Sequence, residues 1–348
     1  MVRLKSVSPC GFRVSMRRHL GRKASLRGAL TFYVEATKQS LSSIAILIFL
    51  SCAASQRPSP LISQSMPLNT ILNLQLKNIA GPNLGENGSF GQPAGVAVDQ
   101  IGEIFISDKA ANAVYKFTPQ LQTVAHEGGI GGSLGEFNRP QGMACDAALN
   151  LYITDTGNKR IQIFDHNLHF IKAFETYYDE NNTATNFVSP SDITIDNEGN
   201  LWIADSDKIL KLDPFFNLLL EISDRIPGQF IIGRLTSIAA SKAGYIAIGD
   251  SGKRRISIIT DYGNLWGEIE TGSLGAIAWD KDDNIWVADS EAKRILAYNR
   301  NGNPFFAYAD DNAASQPSWI ALTPDGNLVV ADSGLRRVSL FAILRTGN

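Results

Sequence analysis

The chain has 348 residues, 44% of them hydrophobic, with 32 basic and 34 acidic side chains. This composition excludes an intrinsically disordered chain, and three cysteines are too few for a disulfide-rich scaffold. The charge is unevenly spread, because residues 1–52 carry nine basic side chains and one acidic side chain. The remaining residues therefore have a net charge of −10. Two parts of different composition are joined in one chain.

The first 52 residues have the composition of a targeting segment. A basic stretch precedes a short apolar run from Ile44 to Leu50, and small residues follow it. These are the parts of an export signal, and the run is shorter than the roughly 20 apolar residues of a membrane-spanning helix. The residues Phe49-Leu50-Ser51-Cys52 resemble the box at which a bacterial lipoprotein is cleaved and lipidated, although Phe49 and Leu50 depart from its usual pattern.

We therefore expect an exported protein of the bacterial cell envelope, with a signal peptide at residues 1–52 and a lipid anchor on Cys52. Cleavage with release of the chain and an uncleaved anchor are the alternatives. Residues 53–67 are polar and contain prolines, and we interpret them as a tether.

Six copies of one unit fill the rest of the chain. Each copy has an apolar strand that ends in aspartate: FISD, YITD, WIAD, AIGD, WVAD and VVAD. Successive aspartates are separated by 47, 50, 45, 39 and 43 residues, a period typical of a four-stranded propeller blade. The six aspartates are Asp108, Asp155, Asp205, Asp250, Asp289 and Asp332.

The segments of each copy follow one another in the same order. In the second copy they are a first apolar segment GMACD, a turn DAALN, the strand LYITD, a third strand NKRIQIF and a fourth strand LHFIKAF. β-branched and aromatic residues dominate these segments, as they do in strands, and no segment has a helical period. We predict an all-β fold, a six-bladed β-propeller over residues 68–348, with the first segment of each copy innermost.

The two ends of the repeat array predict how the ring closes. The sixth copy lacks a fourth strand, and Ile71 to Gly81 read as a strand without a blade before it. Pairing that N-terminal strand with the last blade would cover both edges, and unpaired edges promote aggregation. We therefore predict a single closed domain, and we expect a monomer.

An arginine follows the aspartate by five residues in four of the copies. An aspartate at the end of one strand and an arginine at the start of the next face each other across a hairpin. Because the pair recurs in several copies, we interpret it as a structural clasp rather than a catalytic pair. The arginines are Arg160, Arg255, Arg294 and Arg337.

The units resemble NHL repeats. RPQGMACDAALNLYITDTGNKRIQIF, residues 139–164, follows the family pattern almost throughout, and VADSGLRRVSLF also fits it, whereas the third and fourth copies are degraded. NHL proteins form six-bladed propellers, and in this family the loop that leads into the innermost strand faces the mouth of the central channel. The resemblance thus implies a ligand-binding face at these positions. The candidates whose chemistry differs between copies are Arg139, Gln141, Asp192, Arg234, Trp319 and Asp310.

Related propellers also raise an enzymatic alternative. The amidating lyase that some NHL propellers resemble uses histidines around zinc, but His126, His166 and His169 fall on turns and outer strands. Lactonase-like propellers hold calcium with Glu, Asn and Asp, and of that set Asp192 alone has a central place. We predict a binding protein with no catalytic residues, no metal site and no cofactor, in which acid-rich turns such as DKDDN could bind calcium weakly. A channel-centred, metal-dependent hydrolase or lyase is the alternative.

The net charge of −10 after residue 52 bears on partners. Nucleic-acid binding needs clustered basic side chains to neutralise phosphates, so we expect no nucleic-acid partner and a preference for cationic or uncharged ligands. The expected partner is a protein, a peptide or an envelope glycan at the channel mouth. Membrane contact is expected only through the N-terminal lipid or signal segment.

Overall fold

The computed structural model describes residues 72–80, 90–223, 232–272, 274–310 and 315–345. The predicted targeting segment with Cys52 and the predicted tether at residues 53–67 lie outside the described residues. Within the described ranges the chain is built of β-strands and one short 3-10 turn, Thr156–Asn158. No helix of these ranges is long and apolar enough to cross a membrane. The predicted all-β class is confirmed.

Strand β1 (Leu72–Ala80) comes first in the chain, and three blades follow it. Blade 1 consists of β2 (Pro93–Val98), β3 (Ile104–Asp108), β4 (Ala113–Phe117) and β5 (Thr123–Gly128). Blade 2 consists of β6 (Pro140–Cys145), β7 (Leu151–Asp155), β8 (Arg160–Phe164) and β9 (Phe170–Phe174). A hairpin that the sequence did not predict follows, with β10 (Thr176–Tyr178) and β11 (Ala184–Asn186). Blade 3 consists of β12 (Pro190–Ile195), β13 (Leu201–Asp205), β14 (Lys208–Leu212) and β15 (Leu218–Ser223).

The second half of the chain repeats the arrangement three more times. Blade 4 consists of β16 (Leu235–Ala240), β17 (Tyr245–Asp250), β18 (Arg255–Thr260) and β19 (Leu265–Glu270). Blade 5 consists of β20 (Ile277–Trp279), β21 (Ile285–Asp289), β22 (Arg294–Tyr298) and β23 (Pro304–Tyr308). Blade 6 consists of β24 (Pro317–Leu322), β25 (Leu328–Asp332), β26 (Arg337–Arg345) and the N-terminal strand β1.

The N-terminal strand closes the ring, as predicted. β1 pairs antiparallel with β26, with Leu74 opposite Ile343 and Ala80 opposite Val338. The register shifts once, between Leu76 and Asn78. The last blade therefore has four strands like the other five, and its fourth strand comes from the opposite end of the described chain.

The hydrophobic core lies between neighbouring blades. All residues of β3, β7, β13, β21 and β25, the second strands of five blades, are buried. Side chains of adjacent sheets pack together, as Trp202 of blade 3 does with Ile238 and Ile246 of blade 4. The outer strands are far more exposed, and β5 has no buried residue. Each sheet thus has two faces covered by its neighbours and a rim in solvent.

The aspartate that ends each second strand fastens the loop leading into its own blade. Asp205 accepts hydrogen bonds from the backbone N–H groups of Val188 and Ser189, at 3.0 and 2.6 Å. The predicted facing of aspartate and arginine is present in four blades. Arg160 Nε lies 2.8 Å from Asp155 Oδ2, and Arg294 Nε lies 3.0 Å from Asp289 Oδ2.

Blade 4 shows a variation on this clasp. Arg255 faces Asp250 in register, and its Nη1 forms an ion pair of 2.8 Å with Glu268 of the outer strand. The oxygens of Asp250 accept the backbone N–H groups of Gly233 and Lys253. Asp250 therefore organises its loop as Asp205 does in blade 3, which has no arginine at the corresponding position.

Candidate functional site

The first strands of the six blades surround a central channel. They enclose a cavity of about 250 Å³, lined mainly by valine, alanine and isoleucine side chains. Trp279 and Trp319 are the aromatic residues of this lining, and Asp192 is its charged residue among those the structure describes. Cys145 also lines it, and burial raises the pKa of its thiol.

We call the mouth the end of the channel at which the innermost strands begin. Two loop positions of a blade lie there: the residue before its innermost strand and the residue after its clasp aspartate. In blades 1, 3, 4 and 6 a backbone hydrogen bond joins the two, as from Lys109 N–H to the Gln92 carbonyl at 3.0 Å and from Ser251 N–H to the Arg234 carbonyl at 2.9 Å. In these four blades the two positions therefore lie in one layer around the mouth, and in blade 2 the neighbouring residues Gly157 and Asn138 are joined instead.

Three cations interrupt a polar, uncharged pattern at the mouth. The residue after the clasp aspartate is a serine or threonine in blades 2 to 6, but it is Lys109 in blade 1. The residue before the innermost strand is Arg139 in blade 2 and Arg234 in blade 4. Burial lowers the pKa of Lys109, and the positive charges of Arg139 and Arg234 lower it further. The three cations are thus close enough to act on one another.

The backbone holds Arg139 in an unusual conformation. Its φ is +57°, the left-handed region that costs a residue other than glycine roughly 1–2 kcal/mol. Its N–H donates to Asn112 Oδ1 of blade 1 at 2.8 Å. This bond between blades fixes where the exposed arginine side chain starts.

Asp192 lies in the channel wall and is fully engaged there. Its Oδ1 accepts the Ile193 N–H at 2.8 Å, and its Oδ2 accepts the Ile238 N–H of blade 4 at 2.7 Å. Burial raises its pKa to about 7, although these hydrogen bonds and one from Ser237 act in the opposite direction. A methyl group added to Gly142 of blade 2 would lie 2.2 Å from Oδ1, so the carboxylate fills space that glycine leaves.

The same position in the next blade has the same structural task. Ser237 Oγ accepts the Ile277 N–H of blade 5 at 3.1 Å, just as Asp192 accepts an N–H of blade 4. Asp192 therefore joins neighbouring inner strands, and its oxygens are taken by donors of the wall itself.

The other three sequence candidates lie in different surroundings. Trp319 is half-buried, lines the channel two residues after its strand begins, and packs against the cores on both sides of blade 6. Gln141 Nε2 donates to Thr156 Oγ1 at 2.9 Å. Asp310 follows the outermost strand of blade 5 and accepts the Tyr308 hydroxyl at 3.3 Å.

The histidines in the described ranges lie on outer strands and turns, as their sequence positions suggested. The His126 ring on β5 stacks on Tyr115 at 5.7 Å, and His169 Nδ1 lies 3.0 Å from Asp165 in a turn that also contains His166. Within the described ranges no group of three or more His, Cys, Asp or Glu side chains converges as metal ligands would.

Lys109 is the mouth residue that sequence reasoning missed. Its signal is present in the repeats, because lining up the residue after each clasp aspartate gives five hydroxyl residues and one lysine. A position that is uniform in five copies and charged in the sixth marks a local departure from the structural pattern.

Six four-stranded sheets around a channel, closed by a strand from the N-terminal side, define the chain as a six-bladed β-propeller. Residues 137–164, which include most of blade 2, match the NHL repeat family model. The chain therefore contains an NHL repeat, as the sequence resemblance indicated. A search of the curated proteins gives no match.

Solved structures show the same fold at low sequence identity. Virginiamycin B lyase from Staphylococcus aureus is 14% identical over 78% of this chain and 100% of its own, with a TM-score of 0.56. A gluconolactonase from Xanthomonas campestris is 12% identical over 79% of this chain and 97% of its own, with a TM-score of 0.58. A luciferin-regenerating enzyme is 14% identical over 78% and 96%, with a TM-score of 0.55. At these identities the likeness concerns the fold.

Proposed function

We propose that this protein is an exported binding propeller that recognises a protein, a peptide or an envelope glycan at the mouth of its channel. The observation that carries the proposal is the departure of the mouth from the repeat. Lys109, Arg139 and Arg234 stand where the structural pattern has hydroxyl or amide side chains, and they come from three different blades. A binding site needs particular side chains at particular places, so its residues differ from blade to blade. A purely structural ring would repeat one residue type in every blade.

A metal-dependent hydrolase or lyase is the second candidate, because similar folds carry the names lyase and gluconolactonase. The described residues of the channel include few side chains that could bind a metal ion. Asp192 is their one carboxylate, and both of its oxygens accept backbone N–H groups. A metal would have to displace these bonds, which join blades 3 and 4.

The test is capture of ligands from a bacterial envelope extract by the purified protein. We expect wild type to retain a ligand that the variant Lys109→Ala/Arg139→Ala/Arg234→Ala does not. The control variant Lys172→Ala/Lys242→Ala/Lys281→Ala removes the same charge from exposed sites elsewhere and should capture as wild type does. Equal capture by both variants would place the site away from the mouth.

The enzymatic alternative has its own measurement. Lactone or ester hydrolysis that a chelator abolishes, and that Asp192→Asn removes while the variant remains folded, would favour it over the binding function. We expect neither the wild-type protein nor the Asp192→Asn variant to hydrolyse a lactone or an ester.

A further inference from the structure

The mouth combines charge, polar groups and an aromatic side chain in one place. We infer that its ligand is an anionic carbohydrate, a sugar that carries a carboxylate or phosphate group. This inference rests on the proposed function, and it names the ligand class of the same mouth.

The charge of the mouth is opposite to that of the whole domain. Lys109, Arg139 and Arg234 all lie at the end of the channel where innermost strands begin, and in the described ranges none of them forms an ion pair. The clasp aspartates beneath them direct their oxygens to backbone N–H groups; Asp108, for example, accepts those of Gln92 and Ala111 at 2.8 and 3.0 Å. A ligand anion would supply the counter-charge that the described residues of the mouth do not.

This local charge changes the expectation drawn from the net charge of −10. Charges farther apart than a Debye length of about 8 Å are largely screened at physiological salt. A ligand at the mouth therefore responds to the nearest side chains more than to the net charge of the domain. Arginine suits carboxylate and phosphate, because its guanidinium group can donate two parallel hydrogen bonds to their oxygens.

The groups around the cations favour a ligand with many hydroxyls. Gln92 and Gln316 are exposed at the residue before their innermost strands. The Ser290 hydroxyl donates to the Pro317 carbonyl of the following blade, which leaves its lone pairs to accept hydrogen bonds. The Thr156 hydroxyl donates to the Pro190 carbonyl and accepts from Gln141 Nε2, which leaves it one lone pair. Amides and acceptor hydroxyls complement the donors and acceptors of a sugar ring.

Trp319 adds an apolar surface just inside the channel. It lines the cavity from blade 6, two residues below the residue that begins its strand. An indole ring presents a flat apolar face, and the C–H face of a sugar ring packs well on such a surface. A cavity of about 250 Å³ with this lining is too small for a folded partner, so the recognised group is compact.

The experiment titrates the purified chain by calorimetry with four probes of defined chemistry. They are trigalacturonate, its methyl ester, glucose 6-phosphate and glucose. We expect trigalacturonate to bind if the site recognises a carboxylate, and glucose 6-phosphate to bind if it recognises a phosphate. The neutral probe of the same pair, the methyl ester or glucose, should bind at least about tenfold more weakly. Raising the salt concentration should weaken the binding as well.

Single substitutions then locate the site. Lys109→Ala, Arg139→Ala and Arg234→Ala should each weaken binding of the anionic sugar by about tenfold. Lys242→Ala should leave the affinity unchanged. Circular dichroism melting of each variant shows that the fold is retained. If the anionic sugar binds as tightly after all three mouth substitutions, the inference is wrong.

Two further results separate this inference from the proposed function. A methyl ester that binds as tightly as the acid, and loses affinity in the mouth variants, would keep the mouth as the binding site and overturn the anionic class. Triglutamate or a single-stranded RNA hexamer that binds more tightly than either charged sugar would replace the carbohydrate with a peptide or a nucleic acid. Failure of all of these probes to bind overturns the inference.

Discussion

At the scale of single residues, the first turn of each blade shows how one substitution disturbs a repeated hydrogen-bond set. In blade 3, Asp196 Oδ2 accepts from Asn200 Nδ2 at 3.1 Å and from Trp202 Nε1 at 3.0 Å. Lys211 lies 3.5 Å from the same oxygen. Blade 5 repeats the two hydrogen bonds with its own asparagine and tryptophan. The turn is thus closed by one buried carboxylate with several donors.

Blade 1 has lost both donors. Glu103 stands where blades 2, 3, 5 and 6 have asparagine, and Phe105 stands where blade 3 has tryptophan. Buried Asp99 is left with an Oδ2 atom that accepts no hydrogen bond within the described residues. Burial raises its pKa, and the negative charge of Glu103 adds to the effect. Lys116 pairs with Glu103 at 2.6 Å.

Restoring the repeat should therefore stabilise the fold. We expect Glu103→Asn to raise the free energy of unfolding by about 1 kcal/mol, because it supplies Asp99 with a donor and removes a like charge. Urea denaturation measures the change. The reciprocal variant Asn200→Glu should destabilise blade 3 by a similar amount. A less stable Glu103→Asn would show that the pair of Glu103 and Lys116 contributes more than the orphaned oxygen costs.

Asp192 makes stability depend on pH. Its pKa of about 7 in the folded protein lies above the 3.8 of an ordinary aspartate, so the folded state holds the proton more tightly. The stability from this proton is fully present below about pH 4 and is lost as the pH rises to 7. We expect a loss approaching about 1.4 kcal/mol per pH unit in this range.

Comparison with a variant isolates this contribution from the other carboxylates. The unfolding free energy of Asp192→Asn, subtracted from that of wild type at each pH, should fall between pH 4 and 7. The variant itself should be less stable at low pH, since its amide nitrogen would face the Ile238 N–H. A difference that stays constant with pH would mean that Asp192 is ionised throughout.

At the scale of elements, the ring depends on one non-covalent junction. β1 pairs with β26 along nearly its whole length, and Leu74 is buried among Ile295, Val330 and Phe341. Without β1 the blade would have three strands and an open edge that invites pairing with other chains. The junction therefore ties both ends of the described chain to the core between blades 5 and 6.

Substitutions on one strand can test this junction. Leu74→Ala should lower the free energy of unfolding by about 2–3 kcal/mol, because it opens a cavity in the core. Leu76→Ala removes the same atoms from a site that is 41% exposed and should cost well under 1 kcal/mol. Guanidinium denaturation of both variants gives the comparison. Equal effects would mean that β1 contributes by backbone pairing rather than by packing.

At the scale of the whole molecule, an acidic propeller follows a basic N-terminal segment. We propose that the chain is exported and held at the envelope by a lipid on Cys52, which would place the mouth among envelope glycans. Mass spectrometry of the protein purified from bacterial membranes should find a mature chain that starts at an acylated Cys52. Cys52→Ser should lose the acyl group and membrane retention. An intact N-terminus with an unmodified Cys52 would contradict the proposal.

Much of the fold could be predicted from sequence because each blade carries the same short-range pattern. The aspartate-ended strands recur with the spacing of propeller blades, and their six copies predicted six blades. The missing last strand and the surplus first strand predicted the closure between β1 and β26. The hairpin of β10 and β11 escaped prediction, because its strands have only three residues each and no counterpart in other copies.

The sequence by itself determined the propeller and its closure, because these follow from local strand patterns repeated along the chain. Only the tertiary structure decided which side chains lie at the mouth and which of them act on one another. It fixed Asp192 in the wall through an N–H of blade 4, and it brought Lys109 into the field of Arg139 and Arg234. The physical reason is that hydrogen bonds and charges act through space between blades, across 46 residues for Asp192 and Ile238. A pattern read within one repeat contains no information about its neighbours around the ring.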